Sequence, residues 1–478
     1  MKITVCFKVL PNPDRVIEED WDHFSPNTDI GYAGLDFNCF DEAALEIALK
    51  LKEKMAEQGT EVLCSALTVS DCLPESFQQR LYSVGFDSVR RIPLQNREFC
   101  PEKIGALLAK EAVGSDLILC GREAGMGETG MVPYVLAESL GIPLVADIRS
   151  ADWMEKLTVR CYDHRGLTEK NLGLPAVVTV GNSPEVLRMA TLRQRMKFKD
   201  CKETVCPIEE QWEPEAPVLQ RPETCRDCRM LDPLQEDSFL LIRQLLQKAA
   251  SRGSLSAEKT QIPTGKGLTC FPDTQGGRRA AVRKASTESL PCFFGGQVTA
   301  LTEKTVTLEK RACGSNLLWK KPLSLPAVIT CPDMEEEAQV PSPAVEEERL
   351  LEPAAKKSLS QAALVLVCGN GMGSAAACEA VRDFAEKIGG SFGLTRPAAM
   401  NGWGDVGEMV GQSGSILGAE ACLVLGVAGA GPFLRGCEKC HRVIAVNRDP
   451  HALIFNHADY GIVMDAGEFM KKLQEVMP

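Results

Sequence analysis

The chain has 478 residues, too many for one hydrophobic core, so two or three domains are expected. Apolar residues make up 44% and charged residues 25%, a soluble globular balance that argues against wholesale disorder. With 53 basic against 65 acidic side chains the net charge is −12, which disfavours nucleic-acid binding, where phosphates call for clustered cations.

No apolar run approaches the ~20 residues that cross a bilayer. Residues 1–5 lead into a strand rather than a signal-peptide core, so a cytoplasmic location is expected. The 20 cysteines run from Cys6 to Cys440, many inside apolar strands such as Val62-Leu63-Cys64-Ser65, where a free thiol acts as a small hydrophobe. A reducing and even anaerobic host fits that usage.

Along the first 200 residues, strands are predicted at 2–7, 61–67, 88–92 and 117–120. Helices are predicted at 41–58, with Ala44, Leu45, Ala48 and Leu51 on one face, and at 75–83 and 101–112. Strands alternating with helices imply an α/β, doubly wound parallel sheet. From 201 to 360 prolines and charges dominate, with one clear helix at 236–250. Residues 333–352, with Glu335-Glu336-Glu337 and Glu346-Glu347-Glu348 around two prolines, read as a solvated hinge. After it come an apolar strand at 362–368, a glycine-rich turn, a helix at 375–388, and strands at 391–394, 422–427, 442–446 and 460–464. Five such strands make a second doubly wound domain, with ligands at their carboxyl ends. The segments expected are 1–235, 236–340 and 341–478.

The turn Gly369-Asn370-Gly371-Met372-Gly373-Ser374 can hold a pyrophosphate, since glycines admit the ligand to the backbone and the next helix offers free N–H groups. A plain strand-to-helix turn is the competing reading. After it stand Thr395-Arg396-Pro397-Ala398, Gly402-Trp403, Val410-Gly411-Gln412-Ser413-Gly414, Val446-Asn447-Arg448-Asp449-Pro450 and Ala458-Asp459-Tyr460-Gly461-Ile462-Val463-Met464-Asp465. In this order and spacing they resemble the FAD domain of the electron transfer flavoprotein α subunit.

That resemblance implies FAD bound by Thr395, Arg396, Val410, Gly411, Gln412, Ser413, Gly414, Gly429, Asn447 and Asp465. Arg396 would favour flavin reduction through its fixed positive charge, and Ser413 matches a family Thr that faces the ring. Asn447 and Asp465 match positions on the adenosine half, with structural capping as the alternative. Two departures stand out: the family's Arg in the first turn is Asn370, and its His-bearing segment is Ala428-Gly429-Ala430-Gly431-Pro432-Phe433.

Residues 1 to about 199 resemble the β subunit of the same family through Asn38-Cys39-Phe40-Asp41-Glu42, residues 121–130, Leu136-Ala137-Glu138-Ser139-Leu140-Gly141-Ile142-Pro143 and residues 174–180. The resemblance implies that Asn38, Asp41, Gly125, Gly127, Glu128, Thr129 and Gly130 enclose AMP or a second FAD. Met126 replaces a usual Asp there. Residues 188–197 resemble the loop that docks a partner dehydrogenase through an exposed Leu, here Leu192 amid Arg193, Arg195 and Lys197. A plain basic loop is the alternative.

The whole reads as a β subunit fused to an α subunit that has lost much of one domain, its last strands surviving near Leu308 and Leu325. The function expected is an electron carrier between a dehydrogenase, of acyl-CoA type by resemblance, and a second redox protein. The alternative is a nucleotide-binding regulatory or scaffold paralogue. Cys201, Cys206, Cys225 and Cys228 have a spacing open to zinc or iron–sulfur, read here as free thiols; Cys437 to His441 spells a haem-attachment motif where an ordinary loop is expected.

Overall fold

A computed structural model describes residues 1–25, 28–94, 99–163, 165–208, 217–222, 226–253, 265, 267–332, 334, 342–353 and 359–477. The chain divides into two compact units, Met1–Arg221 with Thr260–Ala354, and Pro222–Lys259 with Ala355–Pro478.

In the first unit, seven parallel strands run in the order Thr204–Val205, Ser88–Ile92, Leu63–Val69, Lys2–Cys6, Leu117–Gly121, Ala176–Val180 and Leu144–Trp153. Antiparallel strands Leu157–Asp163, Gly166–Leu172 and Val345–Pro353 extend the sheet. The central strands are apolar on both faces: every residue of Leu117–Gly121 and of Ala176–Val180 is buried. Parallel strands covered by helices on both sides require this. Helix Cys39–Glu57 supplies one cover, burying Ala44, Leu45, Ala48 and Leu51.

The same unit holds a four-stranded antiparallel sheet, Val218–Gln220, Leu317–Ser324, Thr305–Ala312 and Gln297–Leu301. A three-stranded parallel sheet, Leu268–Pro272, Ala327–Cys331 and Cys292–Phe293, adjoins helix Gln275–Glu288. Trp319 is fully buried and meets Phe99 and Phe293 edge-on at 5.0 and 5.1 Å between ring centroids.

The second unit is a parallel six-stranded sheet, Arg229–Met230, Tyr460–Val463, Val443–Asn447, Ala421–Leu425, Leu364–Cys368 and Ser391–Leu394. Helices Glu236–Ala250 and Ala466–Val476 pack together through stacked Phe239 and Phe469. Arg226 fastens the incoming segment: its guanidinium donates to Asp459 at 2.5 Å and to the carbonyl of Cys440 at 2.6 Å.

Three features differ from the sequence reading. The segment from 201 to 360 is rich in structure, and its parts go to different units, 236–250 to the second and 268–331 to the first. The edge strand Arg229–Met230 was not anticipated, because two residues carry no periodicity. The acidic hinge is in part a strand: across Val345–Pro353, Glu346 pairs with Lys156 at 2.7 Å, and Glu348 pairs with Arg165 at 2.5 Å and Lys170 at 3.1 Å. Neutralised in this way, a glutamate run can join a sheet edge. Residues 333 and 335–341 of the expected hinge lie outside the described residues, as do Cys225 and His164.

Candidate functional site

Chain direction in the second unit places the ends of its strands at one edge. Strand Leu364–Cys368 runs into the glycine turn, and Ser374 then caps helix Ala375–Lys387, its hydroxyl accepting from the Ala377 amide at 3.2 Å. Residues 373–376 are exposed, which leaves the first helical turn open to an anionic group. Strand Ser391–Leu394 ends at Thr395, whose amide donates to the Cys368 carbonyl at 2.9 Å, so half-buried Arg396 starts the short helix Arg396–Met400 beside the turn.

The segment 409–415 is drawn to the same edge. The Val410 amide donates to the Leu394 carbonyl at 2.8 Å, and that of Gln412 to the Pro432 carbonyl at 2.8 Å. The structure thereby brings Thr395, Arg396, Val410 to Gly414 and the stretch bearing Gly429 together. Asn447 and Asp465, at the ends of the last two strands, are engaged locally. Asn447 donates to the Val427 carbonyl at 2.8 Å and accepts from the Asp449 amide at 3.0 Å. Asp465 caps helix Ala466–Val476 through the amides of Gly467 and Glu468, at 2.9 and 3.2 Å. Asn370, in place of the family's Arg, accepts from Asn401 at 2.9 Å.

In the first unit, a cavity of about 70 Å³ opens where strands Lys2–Cys6 and Leu117–Gly121 end, lined by Asp41, Glu123, Gly127, Glu128, Thr129 and Gly130 among others. Gly125 lies beyond its lining, and buried Asn38 stands behind it, donating to the Glu123 carbonyl at 2.9 Å. Asp41 accepts from the amides of Lys8 at 2.9 Å and Gly121 at 2.8 Å. Burial pushes its carboxyl up to about 7, against the Asn38, Gly121 and Lys8 hydrogen bonds that favour ionisation.

This gives a pH dependence. Because Asp41 binds its proton more tightly folded than unfolded, its stabilising contribution is full below the ordinary carboxylate range and is lost as pH rises through about 7. The wild type is expected to lose up to about 4 kcal/mol of first-unit stability between pH 4 and 8. Asp41→Asn should flatten that slope, although its NH₂ group faces an amide donor and lowers stability at every pH. Unfolding at pH 5, 6.5 and 8 checks this; parallel slopes would refute it.

Sequence reasoning missed a charge group beside the glycine loop. Arg278 donates to Asp273 at 2.8 and 2.9 Å, and Lys310 donates to the carbonyls of Phe294 at 3.1 Å and Thr129 at 3.4 Å. Burial opposes the charged form of Asp273, yet Arg278 outweighs it and holds the carboxyl at about 2. Burial lowers the Lys310 ammonium. Thr129 and Lys310 lie far in the chain from the Asp273–Arg278 pair, so no local spacing announces the group.

Leu192 opens the six-residue helix Leu192–Lys197, capped by Thr191, and is 76% exposed. Val186, Met189 and Met196 are exposed near it in sequence. Below them Arg188 donates to buried Glu46 at 2.8 Å, and Arg80 to the Leu187 carbonyl at 2.9 Å, holding the loop on helices Cys39–Glu57 and Glu75–Val84.

Cys437 and Cys440 are both buried, their thiols donating to the carbonyls of Leu434 at 3.6 Å and Leu417 at 3.8 Å, so a haem could not reach them without unfolding this corner. Among the described residues no group of three or more His, Cys, Asp or Glu is placed to hold a metal. Among them, too, no helix is long and apolar enough to cross a membrane.

Comparison with known proteins decides the family question. Residues 32–198 match the family described as the electron transfer flavoprotein domain, and residues 358–438 match the electron transfer flavoprotein FAD-binding domain. The chain carries two domains of the electron transfer flavoprotein family. Its relatives include protein FixB of Rhizobium meliloti, 34% identical over 119 residues that make up 25% of this chain and 34% of that protein. Subunit LctC of the lactate dehydrogenase (NAD(+),ferredoxin) of Acetobacterium woodii is 36% identical over 115 residues, 24% of this chain and 28% of that protein. The mitochondrial electron transfer flavoprotein subunit alpha of Oryza sativa subsp. indica is 37% identical over 123 residues, 26% of this chain and 34% of that protein. The matches span about a third of these relatives' length.

Proposed function

We propose that the chain is an electron carrier that takes up electrons on FAD from a dehydrogenase and delivers them to a second redox protein. The observation that carries this is the convergence of the open glycine turn, Arg396 and the 410–414 loop on one edge of an electron transfer flavoprotein FAD-binding domain. These residues suit FAD: the exposed helix start accommodates pyrophosphate, and Arg396, Gln412 and Ser413 offer a cation and polar side chains to a flavin. Bound FAD supplies reversible electron uptake; the protein's part is to hold it, set its charge environment and present it.

The first-unit cavity fits an adenine nucleotide in part. At about 70 Å³ it is well below the ~300 Å³ of ordinary small-molecule pockets, so much of the ligand would rest outside. Asp41, Glu123 and Glu128 against Lys8 alone suit a base or ribose better than a phosphate. AMP, or the AMP half of a second FAD, is the ligand proposed.

The exposed apolar residues at 186–196, with Arg193, Arg195 and Lys197, support Leu192 as an anchor for the dehydrogenase. Anaerobic mixing tests the whole reading: an acyl-CoA dehydrogenase with its substrate should bleach the flavin absorbance. Leu192→Ala should slow this about tenfold at limiting dehydrogenase concentration, the cost of one anchor side chain. Failure of all dehydrogenases tried, with a flavin that dithionite reduces, would remove the donor assignment.

A scaffold that has lost flavin is the second reading. It draws on Asn447 and Asp465 being engaged as local caps and on the departures at Asn370 and 428–433.

A further inference from the structure

The turn joining strands Thr305–Ala312 and Leu317–Ser324 grips the loop that lines the first-unit cavity. The Cys313 amide donates to the Met126 carbonyl at 2.8 Å; the Gly314 amide donates to the Gly125 carbonyl at 3.0 Å and to the Glu128 carboxylate at 2.5 Å. Lys310 completes the hold at the Thr129 carbonyl, 3.4 Å away. Three of the six residues from 125 to 130 are thus tied to one turn, and a fourth to the strand that leads into it.

The backbone here is strained. Among the described residues five that are not glycine take a positive φ, and three of them meet at this junction: Glu128 at 51°, Cys313 at 56° and Ser315 at 63°. All three are buried. Such conformations are costly and persist where the surroundings over-determine them, typically at ligand clamps. Glu128 and Thr129 are both gripped and part of the cavity lining, with Gly127 and Gly130 beside them.

We infer that this turn is a clamp that sets the shape of the 125–130 loop and with it the affinity of the cavity for an adenine nucleotide, with Glu128 and Lys310 as positioning residues. The inference rests on the nucleotide reading of that cavity. It gives residues 305–324 a role in binding.

Isothermal titration of AMP into the full chain, freed of bound nucleotide by gel filtration in mild denaturant and refolded with no more than one equivalent of FAD per chain, tests it. AMP is also half of FAD, so one probe covers both candidate ligands. Glu128→Gly tolerates the left-handed backbone yet removes the acceptor, and Glu128→Gln keeps a neutral acceptor. AMP affinity is expected to fall about tenfold or more in Glu128→Gly and to stay within about threefold in Glu128→Gln, the range for a hydrogen bond to a charged group. Lys310→Met, which frees Thr129, should also weaken AMP without relocating it. AMP binding to the wild type with the same affinity in Glu128→Gly and Lys310→Met, whatever their melting points, would overturn the clamp alone. A wild type that binds no AMP would overturn the nucleotide reading and the clamp with it.

Discussion

Gly429→Ala is expected to yield protein that loses its flavin on gel filtration and whose second unit unfolds at markedly lower denaturant. Gly429 has a φ of +98°, and a methyl group added there would lie 2.3 Å from the Ile454 amide nitrogen and 2.8 Å from the Leu453 carbonyl carbon. Both are backbone atoms of the neighbouring turn, so no rotamer change relieves the clash. A left-handed backbone and a steric overlap together cost on the order of 3 kcal/mol or more. The Ile454 amide donates to the Ala428 carbonyl at 3.0 Å, so the displacement passes directly into the loop beside residues 410–414. Gly418→Ala, whose added methyl meets nothing within 4 Å, is the control. Equal flavin content and midpoint for the two variants would contradict this account of the loop.

Arg396→Ala is expected to lower the flavin midpoint potential, with Arg396→Lys retaining most of it. Reduction adds negative charge to the isoalloxazine, and a fixed cation at its rim stabilises the reduced form more than the oxidised one. A unit charge at about 4 Å contributes about 1–4 kcal/mol as the effective dielectric falls from 80 to 20. Half-burial of Arg396 places it between those limits. Lysine keeps the charge but loses the planar fork, so a small shift is expected from it. Spectroelectrochemistry measures the three potentials under nitrogen. Arg396→Ala at the wild-type potential would move Arg396 away from the flavin.

The two doubly wound sheets were legible because their strands are buried on both faces: Leu364–Cys368 and Ala421–Leu425 are unbroken apolar runs set between helices of clear 3.6-residue period. The middle of the chain was not, for a related reason. Strand Leu317–Ser324 sets Lys320 and Lys321 among apolar residues, and a half-exposed antiparallel strand of that kind reads as a charged loop. The hinge was misread because the cations that neutralise Glu346 and Glu348 lie far back in the chain, at Lys156, Arg165 and Lys170. Much of the candidate site was legible as glycine turns and the residues beside them. Asp273, Arg278 and Lys310 were not, since their chemistry exists only once three separate segments meet.

FAD on this chain is what the proposed electron transfer requires. An absorption spectrum of freshly purified protein, followed by heat release, identification and counting of the flavin per chain, tests it most directly. A flavin spectrum with one FAD per chain, or two where the first-unit cavity also takes one, is expected. A colourless protein that stays colourless after incubation with FAD would contradict it and leave the scaffold reading in its place.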